Sequence, residues 1–157
     1  MGIDWGGRRV GVALSDPSRT LARPFTILVR EGDGGLPLQK GEKVLAALQK
    51  IASDHEVTGL VFGVPYYHLS GDPNPHAHFF LHAARELSRQ LALPLFLYDE
   101  GQSSEAAREV LKERPRRRRS LQDLDHVAAT AFLQGFLDAP PMERIEGSEG
   151  IRIGDDS

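Results

Sequence analysis

Cysteine is absent from the 157-residue chain. That excludes disulfides, thiolate zinc sites and a cysteine nucleophile. Any metal must then be held by carboxylates or histidines, a donor set that favours hard divalent cations, magnesium or manganese. Also missing are a run of about 18 apolar residues and a basic-then-apolar leader, so no membrane partner is expected and a cytoplasmic location is. Positive charge is not in excess: 19 Lys and Arg stand against 22 Asp and Glu, a formal net charge of -3. A nucleic-acid partner is not thereby excluded, because the charge is unevenly spread. From Asp138 onward six acids (Asp138, Glu143, Glu146, Glu149, Asp155, Asp156) accompany two bases (Arg144, Arg152), which leaves seventeen bases against sixteen acids in the body.

With 40% hydrophobic residues, the length suits one packed domain. Ile3 to Trp5 and Val10 to Leu14 read as strands joined by a tight turn at GGRR, and Arg23 to Val29 as a third, giving an antiparallel start. Val44, Leu45, Leu48, Ile51 and Ala52 recur at helical spacing up to about His55. TGLVFGVP is a continuous apolar run, as in a strand covered on both faces. Helix is expected over Ala77 to Leu91, strand over Leu93 to Glu100, helix over EAAREVLKE after a cap at Ser103 or Ser104, and a last helix from Leu121 to Leu137. Pro140 and Pro141 end the ordered part. The expected division is a domain over 1–139 and an acidic, flexible tail over 140–157. The layout is α/β: a five-stranded mixed sheet, three strands antiparallel and then two parallel, with helices on both faces, as in the ribonuclease H-like architecture.

Three acids invite a shared role. Asp4 closes the first strand, Glu100 the last, and Asp125 lies in the first turns of the final helix. Parallel strands present their carboxyl ends at one sheet edge, where open α/β sheets bind ligands. Converging acids repel unless divalent cations neutralise them, the arrangement of two-metal phosphodiester hydrolysis. Each acid has a plainer alternative. Asp4 is a candidate cap for the GG turn, and Glu100 competes with Asp99, since only one of two adjacent strand residues faces a given side. Ser120 with Asp123 three residues on resembles a capping box, which gives Asp123 a structural task and leaves Asp125 without one.

Together these stretches resemble the YqgF family. GIDWGGRRVGVALSDPSRTLARPFTIL is similar to its opening, VFGVP to its second strand motif, DEGQSSEAA to its acid-and-hydroxyl motif and LDHVAATAFLQGFLD to its final helix, a likeness covering residues 2 to 138. The resemblance implies a ribonuclease H-like nuclease, a hydrolase that matures pre-16S ribosomal RNA or, alternatively, resolves Holliday junctions. It also implies that Asp4, Glu100 and Asp125 are catalytic and bind the metal, Mg2+ or Mn2+. The chain departs from the family pattern in three places. Only three residues precede Asp4, so either the first strand is short or the chain continues upstream of Met1. Gly101 stands where the family commonly has arginine, and the loop after GVP carries Tyr66, Tyr67 and histidines.

RPRRRR holds Arg114, Arg116, Arg117, Arg118 and Arg119 just before the helix with Asp125, a placement suited to a phosphate backbone. Arg8 and Arg9 are further candidates for phosphate contact. Simple solvation is the alternative for both groups. His78 and His82 are four apart on the expected helix, with His76 close by, but no acid or cysteine completes a zinc set. Tyr66, Tyr67 and His68 have the chemistry to stack on unpaired bases or simply to pack. The expected partner is structured or precursor rRNA, or branched DNA, with a homodimer left open. Two rival classes stay in view: a phosphate-loop kinase, which needs a second lobe, and a non-catalytic nucleic-acid or ribosome-binding module.

Overall fold

The computed structural model describes residues 1–30, 42–64, 75–99 and 121–138, with the side chains of 42, 64, 75–79, 99 and 121–126 outside the description. Among the described residues, three strands, β1 (Gly2–Trp5), β2 (Arg9–Ser15) and β3 (Ala22–Val29), are followed by α1 (Glu42–Asp54), β4 (Leu60–Val64), α2 (Pro75–Leu91), β5 (Leu95–Asp99) and α3 (Leu121–Asp138). The strands form one sheet of order β3-β2-β1-β4-β5. β2 pairs antiparallel with both β1 and β3, whereas β1, β4 and β5 run parallel. The expected mixed sheet is therefore present. The short first strand is also present, four residues long.

The β1–β2 connection is as tight as GGRR suggests. Gly6 N–H donates to Arg9 O at 2.8 Å, and a Cβ on Gly6 would lie 2.6 Å from that same oxygen, so only glycine fits. α2 starts at Pro75, two residues before the expected Ala77, because a proline in the first helical position gives up no hydrogen bond. β5 begins at Leu95, since Leu93 closes the turn through Ala92, whose φ is 51°, by donating its N–H to Ser88 O, and Pro94 has no N–H to give to the sheet.

Alternation along the strands sorts the core into two layers. Ile3, Trp5, Val10, Val12, Leu60, Phe62, Leu95 and Leu97 pack with Val44 and Leu48 of α1 and Ala83, Ala84 and Leu87 of α2. On the other face, Ala13, Ala22 and Val61, with Phe96 and Tyr98, pack against Ala129, Phe132, Leu133, Phe136 and Leu137 of α3. Helices therefore cover both faces, as expected, and β4, between β1 and β5, is apolar throughout. Among the described residues no helix is long and apolar enough to cross a membrane.

Candidate active site

β1 divides its side chains between the layers. Ile3 and Trp5 belong to the α1–α2 layer. Gly2 faces α3: a Cβ there would lie 2.9 Å from Leu133 Cβ and 3.1 Å from Ala129 O. Asp4, two residues further on, shares the face of Gly2. It is half-buried, pairs with Gly11 across the sheet, and stands one residue before the end of β1, at the edge where the parallel strands finish.

The direction of α3 decides which of its residues meets that edge. Near its C-terminal end, Gln134 accepts from Ala22 N–H at 2.7 Å and donates to Thr20 O at 2.9 Å. Ala22 pairs with Ser15, two residues beyond Ala13, the partner of Gly2, so this end of α3 sits below the start of β1. α3 therefore runs antiparallel to β1, and its N-terminal turns rise toward the carboxyl edge. Position 125 is one turn before Ala129, about 6 Å along the helix axis. Asp4 is two residues past Gly2, about 6–7 Å along the strand. From the contact of Gly2 with Leu133 and Ala129, both positions lie further toward the carboxyl edge, on the α3 side of the sheet.

The other expected members are less fully described. β5 directs Phe96 and Tyr98 toward α3 and Leu95 and Leu97 toward the opposite layer. The next position of the α3 set is 100, and Glu100 lies outside the described residues, as do Gly101, the expected helix over EAAREVLKE, Arg114, Arg116 to Arg119, Tyr66 to His68 and the acidic tail. Among the described residues no three histidines or acids gather closely enough to hold a metal. His76, His78 and His82 all lie on α2, where His82 is exposed.

Arg8 is exposed and Arg9 half-buried, at the tip of the β1–β2 hairpin next to Asp4. One residue that sequence reasoning did not single out holds this hairpin. Arg30, directly after β3, is only 9% exposed. Its Nη1 donates to Gly6 O at 2.9 Å and Gly7 O at 3.2 Å, and its backbone N–H donates to Arg8 O at 2.8 Å. Its guanidinium carbon stands 4.9 Å from the ring centre of Trp5, the neighbour of Asp4. Burial lowers the guanidinium pKa from its ordinary value. Nothing in the spacing announced Arg30, because its partners are backbone carbonyls 23 and 24 residues earlier.

The sheet order and the helices on both faces define a ribonuclease H-like fold. Two solved structures share this architecture: RuvC of Thermus thermophilus in complex with Holliday junction substrate (TM-score 0.53, 13% identity, 83% of this chain and 89% of that one) and a second Thermus thermophilus RuvC structure (TM-score 0.51, 14% identity, 83% and 90%). The family described as "RuvX: Holliday junction resolvase" matches residues 1–139, and the chain belongs to it. Its relatives include proteins named "Putative pre-16S rRNA nuclease" from Roseiflexus sp. (strain RS-1), 37% identical over 142 residues, 88% of this chain and 93% of the relative, and from Moorella thermoacetica, 37% identical over 139 residues, 88% and 93%. The resemblance read from the motifs is borne out at the level of the family.

Proposed function

We propose that this protein is a metal-dependent nuclease, a hydrolase of phosphodiester bonds that processes the 5′ end of pre-16S rRNA, with Asp4, Glu100 and Asp125 as its metal-holding acids. The observation that carries this reading is the placement of Asp4 on the face of β1 that α3 covers, with the N-terminal turns of α3, where position 125 lies, running toward the same carboxyl edge. The names of the relatives supply the substrate class. Glu100 enters by parity. If the chain stays extended one residue past β5, position 100 joins Phe96 and Tyr98 on the α3 side, which favours Glu100 over Asp99.

The donor chemistry fits the metal. Carboxylate oxygens without thiolates suit Mg2+ or Mn2+, and Asp4 keeps enough exposure to meet a hydrated ion. Bound there, such ions supply an activated water and stabilise the leaving oxygen, in the manner of two-metal phosphodiester hydrolysis. The chain's own residues hold and orient. Asp4 is fixed by its pairing with β2, and position 125 by the seating of α3 on Gly2 and Thr20. Arg8 and Arg9 stand beside the acid, and the run Arg116, Arg117, Arg118 and Arg119 immediately precedes α3 in sequence. A guanidinium pairs bidentately with phosphate, so both groups have the chemistry that suits a phosphate backbone. A branched DNA substrate is the second reading, favoured by the family's description as a Holliday junction resolvase.

The test is cleavage of a precursor RNA that spans the mature 5′ end, beside a four-way DNA junction, with magnesium or manganese. Asp4→Asn is expected to lose at least about a hundredfold of the metal-dependent activity, since even residues behind metal ligands cost 10–100-fold. Its Tm stays level or rises, because one like charge is gone from the metal-free site. Wild-type activity in that variant removes Asp4 from the site. Cleavage of neither substrate by the wild type turns the reading to the non-catalytic binding module.

A further inference from the structure

We propose that Arg30 is a positioning residue that sets the phosphate-contacting tip of the β1–β2 hairpin against Asp4. The inference rests on the nuclease reading above and adds to it a residue outside the acids and the exposed arginines. Between Trp5 and Arg9 the chain has two glycines, with no side chains to hold its path, and the exposed Arg8. Within this turn the backbone bond is Gly6 N–H to Arg9 O, which fixes the ends of the turn and not its tilt relative to β3. Arg30 supplies what is missing. One nitrogen, Nη1, spends its two N–H donors on two successive carbonyls, Gly6 O and Gly7 O, and the Arg30 backbone N–H takes a third, Arg8 O. The peptides on both sides of Gly7 and the one after Arg8 are thereby tied to the end of β3.

The guanidinium is itself fixed. It stands 4.9 Å from the Trp5 ring centre, Trp5 is 2% exposed, and its ring stacks on Phe62 of β4 at 6.3 Å between centroids. A line of contacts thus runs from the core of the sheet through Trp5 and Arg30 to the hairpin tip. It runs on the α1–α2 side of β1, the face opposite Asp4, and ends at the carbonyls of Gly6, Gly7 and Arg8, in the turn that joins Asp4's strand to Arg9. An exposed arginine gains affinity for phosphate when its backbone is already in place, since less freedom is lost on binding. Lysine does not replace Arg30: an ammonium is a point donor that cannot stack flat on an indole while bridging two carbonyls.

Arg30→Lys and Arg30→Met are compared with Arg8→Ala/Arg9→Ala, by circular dichroism, by binding of a fluorescent RNA hairpin across a salt series without added metal, and by cleavage with magnesium. Arg30→Met keeps the apolar stem over Trp5 and guards against a folding loss in the lysine variant. Expected for both Arg30 variants are a native spectrum, binding weakened about fivefold or more at low salt, a shallower slope of log affinity against log salt, and a KM that rises while kcat stays within about twofold. Adding Arg30→Lys to Arg8→Ala/Arg9→Ala weakens binding no further, because the two changes act on one element. Three results would overturn the proposal: unchanged binding in both Arg30 variants while Arg8→Ala/Arg9→Ala binds weakly, full additivity of the combined variant, or no loss in Arg8→Ala/Arg9→Ala itself. The binding arm needs no catalysis, so failure of the nuclease reading shows separately, as absent cleavage by the wild type.

Discussion

A carboxylate that accepts four hydrogen bonds loses them when it takes up a proton. Asp16, in the turn after β2, accepts from Ser18 Oγ at 2.7 Å, Thr20 Oγ1 at 2.9 Å, Thr20 N–H at 2.8 Å and Leu21 N–H at 3.1 Å. The Leu21 N–H, followed by the Ser18 hydroxyl and the Thr20 N–H, holds its pKa well below the usual carboxylate range. A folded-state pKa below the unfolded value of about 3.9 gives stability that is fully present above that pH and fades as pH falls below it. Asp16→Asn removes the charge and keeps one acceptor. It is expected to lower Tm by a few degrees at pH 7, with the gap to wild type narrowing progressively below about pH 4. A gap of constant size in scanning calorimetry down the pH range would show that the charge contributes nothing. The loop bears on the site through Thr20, whose carbonyl receives Gln134 of α3.

Among the elements, α3 has the largest consequence. Its C-terminal half is anchored by Gln134 to Thr20 and Ala22, and its middle rests on the bare backbone of Gly2. Gly135, costly inside a helix, is explained by the Tyr98 hydroxyl, which occupies the space a Cβ would take. Gly2→Ala drives a Cβ to 2.9 Å from Leu133 Cβ and 3.1 Å from a backbone oxygen, so α3 must lift. The expected cost is about 1–3 kcal/mol in urea unfolding, with lower cleavage at temperatures where the variant is still folded. Gly7→Ala is the control: a Cβ there meets nothing within 4 Å, and the stability change should stay within about 0.5 kcal/mol. Equal losses in the two variants would mean that backbone freedom, and not the seat of α3, sets the cost.

The strands, the GGRR turn and all three described helices were readable from the sequence, because period-two and helical patterns and the glycine pair are local signals. The direction of α3 was not. It depends on a glutamine meeting a loop more than a hundred residues earlier, at a sequence separation of 112 from Ala22. Nor do local signals separate Asp99 from Glu100, because both acids stand at the end of one buried strand and which face each takes depends on the packing of Phe96 and Tyr98 against α3, and Glu100 lies outside the described residues.

At the scale of the whole molecule, the distribution of charge matters more than the net -3. The arginine run Arg116 to Arg119 stands directly before α3 in sequence, and six acids begin at Asp138, the last residue of α3. Under the nuclease reading the run binds phosphate, and an anionic segment tethered to the same helix competes for it. Such competition is electrostatic and therefore screened, over about 10 Å at 0.1 M salt and about 30 Å at 0.01 M. Deleting residues 143 to 157 is expected to tighten RNA binding severalfold near 0.01 M salt and to change it little above about 0.2 M, where exposed charges are largely screened. Replacing Arg116 to Arg119 by alanine should weaken binding about equally for all sequences and make the salt slope shallower, since phosphate contacts carry no sequence information. In that background the deletion should have little further effect, because the arginines it would free are gone. Fluorescence anisotropy on the four proteins across a salt series reads all of these outcomes. A deletion without effect at either ionic strength would make the acidic segment a solubilising appendage, and an unchanged slope in the alanine variant would return the arginines to a solvated surface.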